Sequence, residues 1–118
     1  MEILNVDTSL SFLQNEKLLQ VCVGENELLL LFGGEITATI EVPITHTQSG
    51  KSLNKIENFR TDQCTLTQLL GSKVISATLT EGQCLTLAFS NGDKLSFQSD
   101  ESGNECFQIT KKDKTYIS

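Results

Sequence analysis

One histidine, four cysteines and fifteen carboxylates are the residues of this 118-residue chain that could carry acid–base, thiol or metal chemistry. Nucleophilic catalysis needs a nucleophile, a base and a group that orients the base. The sole histidine, His46, stands in Ile44-Thr45-His46-Thr47 with no second histidine to support it. It reads as a loop or strand-end residue, and no enzymatic role is expected. The cysteines Cys22, Cys64, Cys84 and Cys106 are 42, 20 and 22 positions apart and form no CxxC pair. That spacing offers neither a metal knuckle nor a redox motif. Cys22 and Cys84 fall in β-like runs, where a thiol acts as a small apolar side chain. Gly50-Lys51-Ser52 has the ending of a phosphate-binding loop, but position 45, where the first glycine would stand, is Thr45, so it is read as a chance match. No cofactor and no metal are expected, and no spacing singles out a carboxylate pair for glycoside chemistry.

The carboxylates matter more for where they lie. The net charge is −6, and residues 1–50 hold seven acids (Glu2, Asp7, Glu16, Glu25, Glu27, Glu35, Glu41) against one base, Lys17. Residues 51–118 hold eight of each and balance. A concentrated negative field repels nucleic acid and attracts basic partners. Glu35 and Glu41 are expected on the outward face of one strand, with Glu25 and Glu27 in or beside the turn that precedes the adjacent strand. These four are the candidate contacts for a basic partner, and a solvated sheet face is the plainer reading of the same residues. Asp100, Glu101 and Glu105 have the same two readings. Met1 to Asp7 lacks the basic stretch and apolar run of a secretory signal. The longest apolar run, Leu28 to Phe32, is five residues, too short to span a bilayer. A cytoplasmic protein without membrane contact is therefore expected.

Periodicity supplies the elements that position these groups. Residues 35–42 alternate, with Ile36, Ala38, Ile40 and Val42 on one face and Glu35, Thr37, Thr39 and Glu41 on the other. Leu85, Leu87 and Phe89 repeat that pattern, followed by the turn residues Asn91-Gly92 and then Leu95 and Phe97, which predicts a hairpin. An offset of 57 aligns Phe32 with Phe89, Leu30 with Leu87, Leu28 with Leu85 and Leu13 with Leu70. This is a weak internal repeat. Each copy comprises a short helical turn (Ser9 to Leu13; Thr65 to Leu70, with Gly71 as its stop), a strand (Leu18 to Val23; Lys73 to Thr80) and a hairpin. The expectation is one domain over residues 1–118, with pseudo-repeats at about 8–42 and 65–98 joined by a surface loop at 43–60. A further strand is expected at Cys106 to Thr110, then a basic turn at Lys111 to Lys114. The fold class is all-β, or β-rich α+β with short helical turns. It would comprise seven or eight strands in two packed antiparallel sheets or a partly open barrel.

The stretch Leu69-Leu70-Gly71-Ser72-Lys73-Val74-Ile75-Ser76-Ala77, followed by Leu85-Thr86-Leu87-Ala88-Phe89-Ser90-Asn91-Gly92-Asp93-Lys94-Leu95, resembles a family of small bacterial β-rich proteins. They share a leucine-glycine-x-x-valine pattern, an apolar strand and an asparagine-glycine hairpin. In the first repeat the likeness runs through Leu28 to Ile40, with Gly33-Gly34 in place of the asparagine-glycine turn. Some members are immunity proteins that neutralise the toxin domains of contact-dependent growth inhibition systems. The resemblance implies a β-rich fold and an immunity protein that binds a cognate, nuclease-like basic toxin domain and blocks its active site. No toxin-contacting residue lies in the matching motif. The alternative is a small structural or adaptor domain that self-associates through a β edge or face as a homodimer.

Overall fold

The computed structural model describes residues 2–3, 10–24, 27–48, 53–56, 63–80, 84–98, 107–111 and 114–117. Among them are eleven strands: β1 (Glu2–Ile3), β2 (Leu18–Val23), β3 (Leu28–Phe32), β4 (Ile36–Ile40), β5 (Ile44–Thr47), β6 (Leu53–Ile56), β7 (Val74–Thr80), β8 (Cys84–Phe89), β9 (Lys94–Gln98), β10 (Phe107–Lys111) and β11 (Lys114–Ile117). Two 3-10 turns, Ser11–Leu13 and Gln63–Leu69, are the helical segments. One sheet has the order β1-β11-β10-β4-β3-β2 and the other β6-β5-β9-β8-β7. All neighbours are antiparallel except β1 and β11. The fold is thus mostly β, in two sheets and not a closed barrel. No helix among the described residues is long and apolar enough to cross a membrane.

The alternation seen in the sequence becomes burial. Ile36, Ala38, Ile40 and Val42 are buried, as are Leu85, Leu87, Phe89, Leu95 and Phe97. Side chains at every second strand position share one face. The inward faces of both sheets therefore merge into one cluster, closed by Leu10 and Leu13 from the first 3-10 turn and Leu66 and Leu69 from the second. Each such side chain contributes about 1.5–3 kcal/mol on burial.

Corresponding contacts recur through the two halves. Leu18 pairs with Phe32 and Leu30 with Ala38 in one, while Val74 pairs with Phe89 and Leu87 with Leu95 in the other. A bulge follows Leu18 in β2 and Val74 in β7. From the 3-10 turns to these strands the offset is 56, and it becomes 57 at β3 and β8 because the pair Leu79–Leu85 is separated by one residue more than the corresponding pair Val23–Leu28. Leu13 therefore corresponds to Leu69, which is buried, and not to Leu70, which is exposed. The halves are also interlocked. β5 and β6 follow β4 but extend the sheet of β9, and β10 follows β9 but pairs with β4.

Segment 43–60, expected as a surface loop, instead carries β5 and β6, which raises the strand number above seven or eight. The misreading has one physical cause. Ile44 and His46 both face inward with no exposed surface, and a polar inward residue breaks the apolar alternation by which strands are recognised. His46 corresponds to Ile109 of β10, since Ile44 and His46 pair with Phe97 and Leu95 as Phe107 and Ile109 pair with Ile40 and Ala38. Its partner, Asp93, corresponds to Ile36. His46 Nε2–H donates to Asp93 Oδ2 at 2.8 Å. One half thus holds two isoleucines where the other holds a buried hydrogen-bonded pair.

Asp93 also ends the β8–β9 loop. Gly92 N–H donates to the Phe89 carbonyl, Phe89 N–H to the Asp93 carbonyl, and Asp93 N–H to Asn91 Oδ1. The loop is Ser90-Asn91-Gly92, three residues with only Gly92 at positive φ (93°), and not a two-residue Asn-Gly turn. In the β3–β4 loop the corresponding position is Glu35, with φ 61°.

Glu35→Gly is expected to stabilise the fold by about 1 kcal/mol, because a side chain with a Cβ is strained in the left-handed region. Thermal unfolding checks it. His46→Ala or Asp93→Ala is expected to cost about 2–3 kcal/mol in urea unfolding by removing the partner of a buried polar group. The double variant His46→Ile/Asp93→Ile, which copies Ile109 and Ile36, is expected to recover most of that loss.

Candidate functional site

Of the four candidate acids, Glu27 and Glu41 come together. Leu28 pairs with Ile40 at the end of the β3–β4 ladder, so the residues one step beyond, Glu27 and Glu41, flank the same end of the hairpin. Glu27 is half-buried and Glu41 exposed. With Thr39, Phe107 and Gln108 they line a shallow pocket of about 120 Å³. The sequence builds it locally. Gly24 N–H donates to the Glu27 carbonyl at 2.8 Å and closes the β2–β3 turn. A Cβ at Gly24 would stand 3.0 Å from Glu27 Cγ, so the absent side chain leaves room for the glutamate to fold back over the turn. Ile40 and Val42 anchor Glu41 from either side by burying into the core. Phe107 is buried and held edge-on against Phe97, with ring centroids 4.9 Å apart.

Among the described residues neither Glu27 nor Glu41 forms an ion pair. Two carboxylates without an ion-pair partner among the described residues, with the Thr39 hydroxyl and the Gln108 amide on the wall, suit a guanidinium or ammonium group. Glu27 and Glu41 occupy the facing positions one step beyond the Leu28–Ile40 pair, where like charges repel.

The same place in the other half sharpens this point. Cys84 pairs with Gln98 there, at the positions corresponding to Glu27 and Glu41, and both line a pocket of about 270 Å³ with Pro43, Thr45, Lys55, Ser96 and Phe97. The scaffold therefore forms this depression twice and places two carboxylates in only one copy. The acid pair is a feature of the sequence at that site and is not imposed by the fold.

The other candidates fall elsewhere. Glu35 lies in the loop at the opposite end of β3 and β4, where Gly33, Gly34 and Glu35 connect Phe32 to Ile36; the expected shared strand face with Glu41 is not formed. The positive φ of Gly34 and Glu35 curls the chain there before β4 begins. Glu25, Asp100, Glu101 and Glu105 lie outside the described residues, as does Gly50-Lys51-Ser52. Cys22 and Cys84 are half-buried. No group of three or more histidine, cysteine, aspartate or glutamate residues that could hold a metal exists among the described residues.

His46, read from the sequence as a loop or strand-end residue, lies in β5 next to its last residue. It has no exposed surface and the Asp93 side chain only 7 %, so the pair resembles a catalytic dyad in composition but presents no face to a substrate. Periodicity put Thr39 on the face of Glu41 but could not find Phe107 and Gln108 as pocket walls, because β10 reaches β4 only after crossing between sheets. The nearest available signal was the alternation Phe107-x-Ile109 beside Ile44-x-His46, which places two inward residues at like spacing in two strands.

Comparison with known proteins finds no matching family model, no matching characterised protein and no matching solved structure.

Glu27→Gln/Glu41→Gln is expected to leave the fold intact and to raise stability by about 0.5 kcal/mol at low salt, as relief of a cross-strand like-charge pair. Thermal melts at low and high salt check it, and the gain should shrink as salt screens the repulsion.

Proposed function

We propose that this chain is an immunity protein that binds a cognate toxin domain through the notch of Glu27 and Glu41 and thereby blocks the toxin's active site. The observation that supports this reading is the carboxylate pair, without an ion-pair partner among the described residues and present in one of two corresponding pockets. A nuclease-like toxin domain must hold phosphate and so exposes arginine or lysine in its substrate groove. A carboxylate pair can take such a side chain in place of phosphate oxygens. The negative field of the first half would steer the two proteins together. The inhibitor itself needs only a rigid scaffold and a few well-placed anchors. The role is exercised in the cytoplasm, where such a toxin would act.

The test is co-expression with the polypeptide encoded immediately upstream, followed by capture and a growth assay. The expected result is capture of a growth-blocking partner whose toxicity disappears when this chain is present. Glu27→Lys/Glu41→Lys is expected to weaken capture by at least about tenfold per reversed charge and to abolish its salt dependence. Absence of a toxic partner, or affinity and salt dependence unchanged by the reversal, would refute the reading.

A further inference from the structure

The two halves meet at a pair of lysines. Leu18 N–H donates to the Ser72 carbonyl and Val74 N–H to the Glu16 carbonyl, each at 3.0 Å. These bonds frame Lys17 and Lys73 as an antiparallel bridge. Pairs framed in this way are the closer kind, with Cα atoms about 4.5 Å apart and side chains on one face. Both lysines are exposed. Among the described residues neither has an ion-pair partner. Glu16, next to Lys17, turns its carboxylate toward Gly33 and Gly34, where a Cβ on Gly34 would come within 2.6 Å of Oε2. A protein of net charge −6 thus carries two like charges directly opposed, an arrangement that costs stability.

The bulges lie beside this pair. In β2 the residue left without a partner is Leu19, and in β7 it is Ile75. Bulges redirect a side chain at a sheet edge, and these two leave apolar side chains 61 % and 52 % exposed. Leu70 is also exposed and adjoins Gly71, whose N–H donates to the Leu18 carbonyl at 2.8 Å. Three of the four large apolar side chains exposed among the described residues, Leu19, Leu70 and Ile75, therefore border the lysine pair.

We infer that Lys17 and Lys73, with Leu19, Leu70 and Ile75, form a second docking surface that takes an acidic segment of a partner protein bearing apolar side chains between its carboxylates. Charge complementarity selects this occupant. A basic toxin groove has the wrong sign. A second copy stacked on the same face would bring four lysines together. Nucleic acid is repelled by the net charge of the chain, and free phosphate has no use for the apolar flanks. This inference goes beyond the toxin-binding reading and uses a different surface. The acidic notch and the lysine pair lie at opposite ends of β3, about 20 Å apart at 3.3 Å per residue.

The probe is a short fluorescein-labelled peptide of alternating glutamate and leucine, titrated with the full chain and followed by fluorescence anisotropy. Salt-sensitive binding by the wild type is expected, and Lys17→Gln/Lys73→Gln should weaken it by about tenfold. Leu19→Ser/Ile75→Ser should weaken it comparably. Because the glutamine variant removes a like-charge pair, its melting temperature should equal or exceed that of the wild type, so lost binding would not reflect lost folding. No binding by the wild type, or undiminished binding by the lysine variant, would overturn the inference. Equal binding of a glutamate–serine peptide would overturn it too, as would a wild-type dimer that buries this face.

Discussion

Four backbone hydrogen bonds between Asn15–Leu18 and Gly71–Val74 join the two sheets at their β2 and β7 edges. Asn15 N–H and Gly71 N–H donate to the carbonyls of Val74 and Leu18, and Leu18 N–H and Val74 N–H to those of Ser72 and Glu16. Each bond has its counterpart 56 residues away. Asn15 and Gly71 both take positive φ, 70° and 85°, which turns the chain from each 3-10 turn into the first strand of its half. An edge strand exposes unpaired backbone groups that would otherwise recruit another chain. Here each half satisfies part of the other's edge. The exchange of β5–β6 and β10 between halves closes the opposite side in the same manner.

A scaffold with two corresponding halves offers an internal comparison. Where both halves use residues of the same kind, as at Leu30 and Leu87 or Leu13 and Leu69, the residues answer to packing. Where they differ, the difference needs its own account. Isoleucine at 36 and 109 against Asp93 and His46 is one case. The polar pair ties the end of β5 to the β8–β9 loop, and Gln48 reinforces this by donating to Gln68 Oε1 at 2.6 Å. At the positions corresponding to Gln48 and Gln68, Lys111 Nζ stands 5.2 Å from the centroid of the Phe12 ring. The added strand is thus fastened to the 3-10 turn in both halves, by an amide pair in one and a cation over a ring in the other. Glu27 and Glu41 against Cys84 and Gln98 is another, a difference in charge at corresponding ends of the two hairpins.

Charge is also distributed along the strands. The carboxylate notch sits where β3 begins and the lysine pair beyond where it ends, so the acidic field of the first half does not cover the molecule evenly.

By itself the sequence determined which residues face inward in β4, β8 and β9, because side-chain alternation is a local consequence of strand geometry and needs no partner; in β3 every residue is apolar, and only the fold chose Leu28, Leu30 and Phe32. The sequence likewise marked the hairpins and the acidic first half. The tertiary structure decided what depends on residues far apart in the chain. His46 looked like a loop residue until Asp93, 47 positions on, supplied the partner that allows a polar side chain to be buried. Glu27 and Glu41 became one site, and Glu35 was separated from them, through hairpin register and the left-handed turn at Gly34-Glu35. Phe107 and Gln108 joined that site only when β10 crossed between sheets to pair with β4. Lys17 and Lys73 became neighbours only when the halves met edge to edge. Pairing across such distances is chosen by the fit of whole faces, and no local pattern of residue types records it.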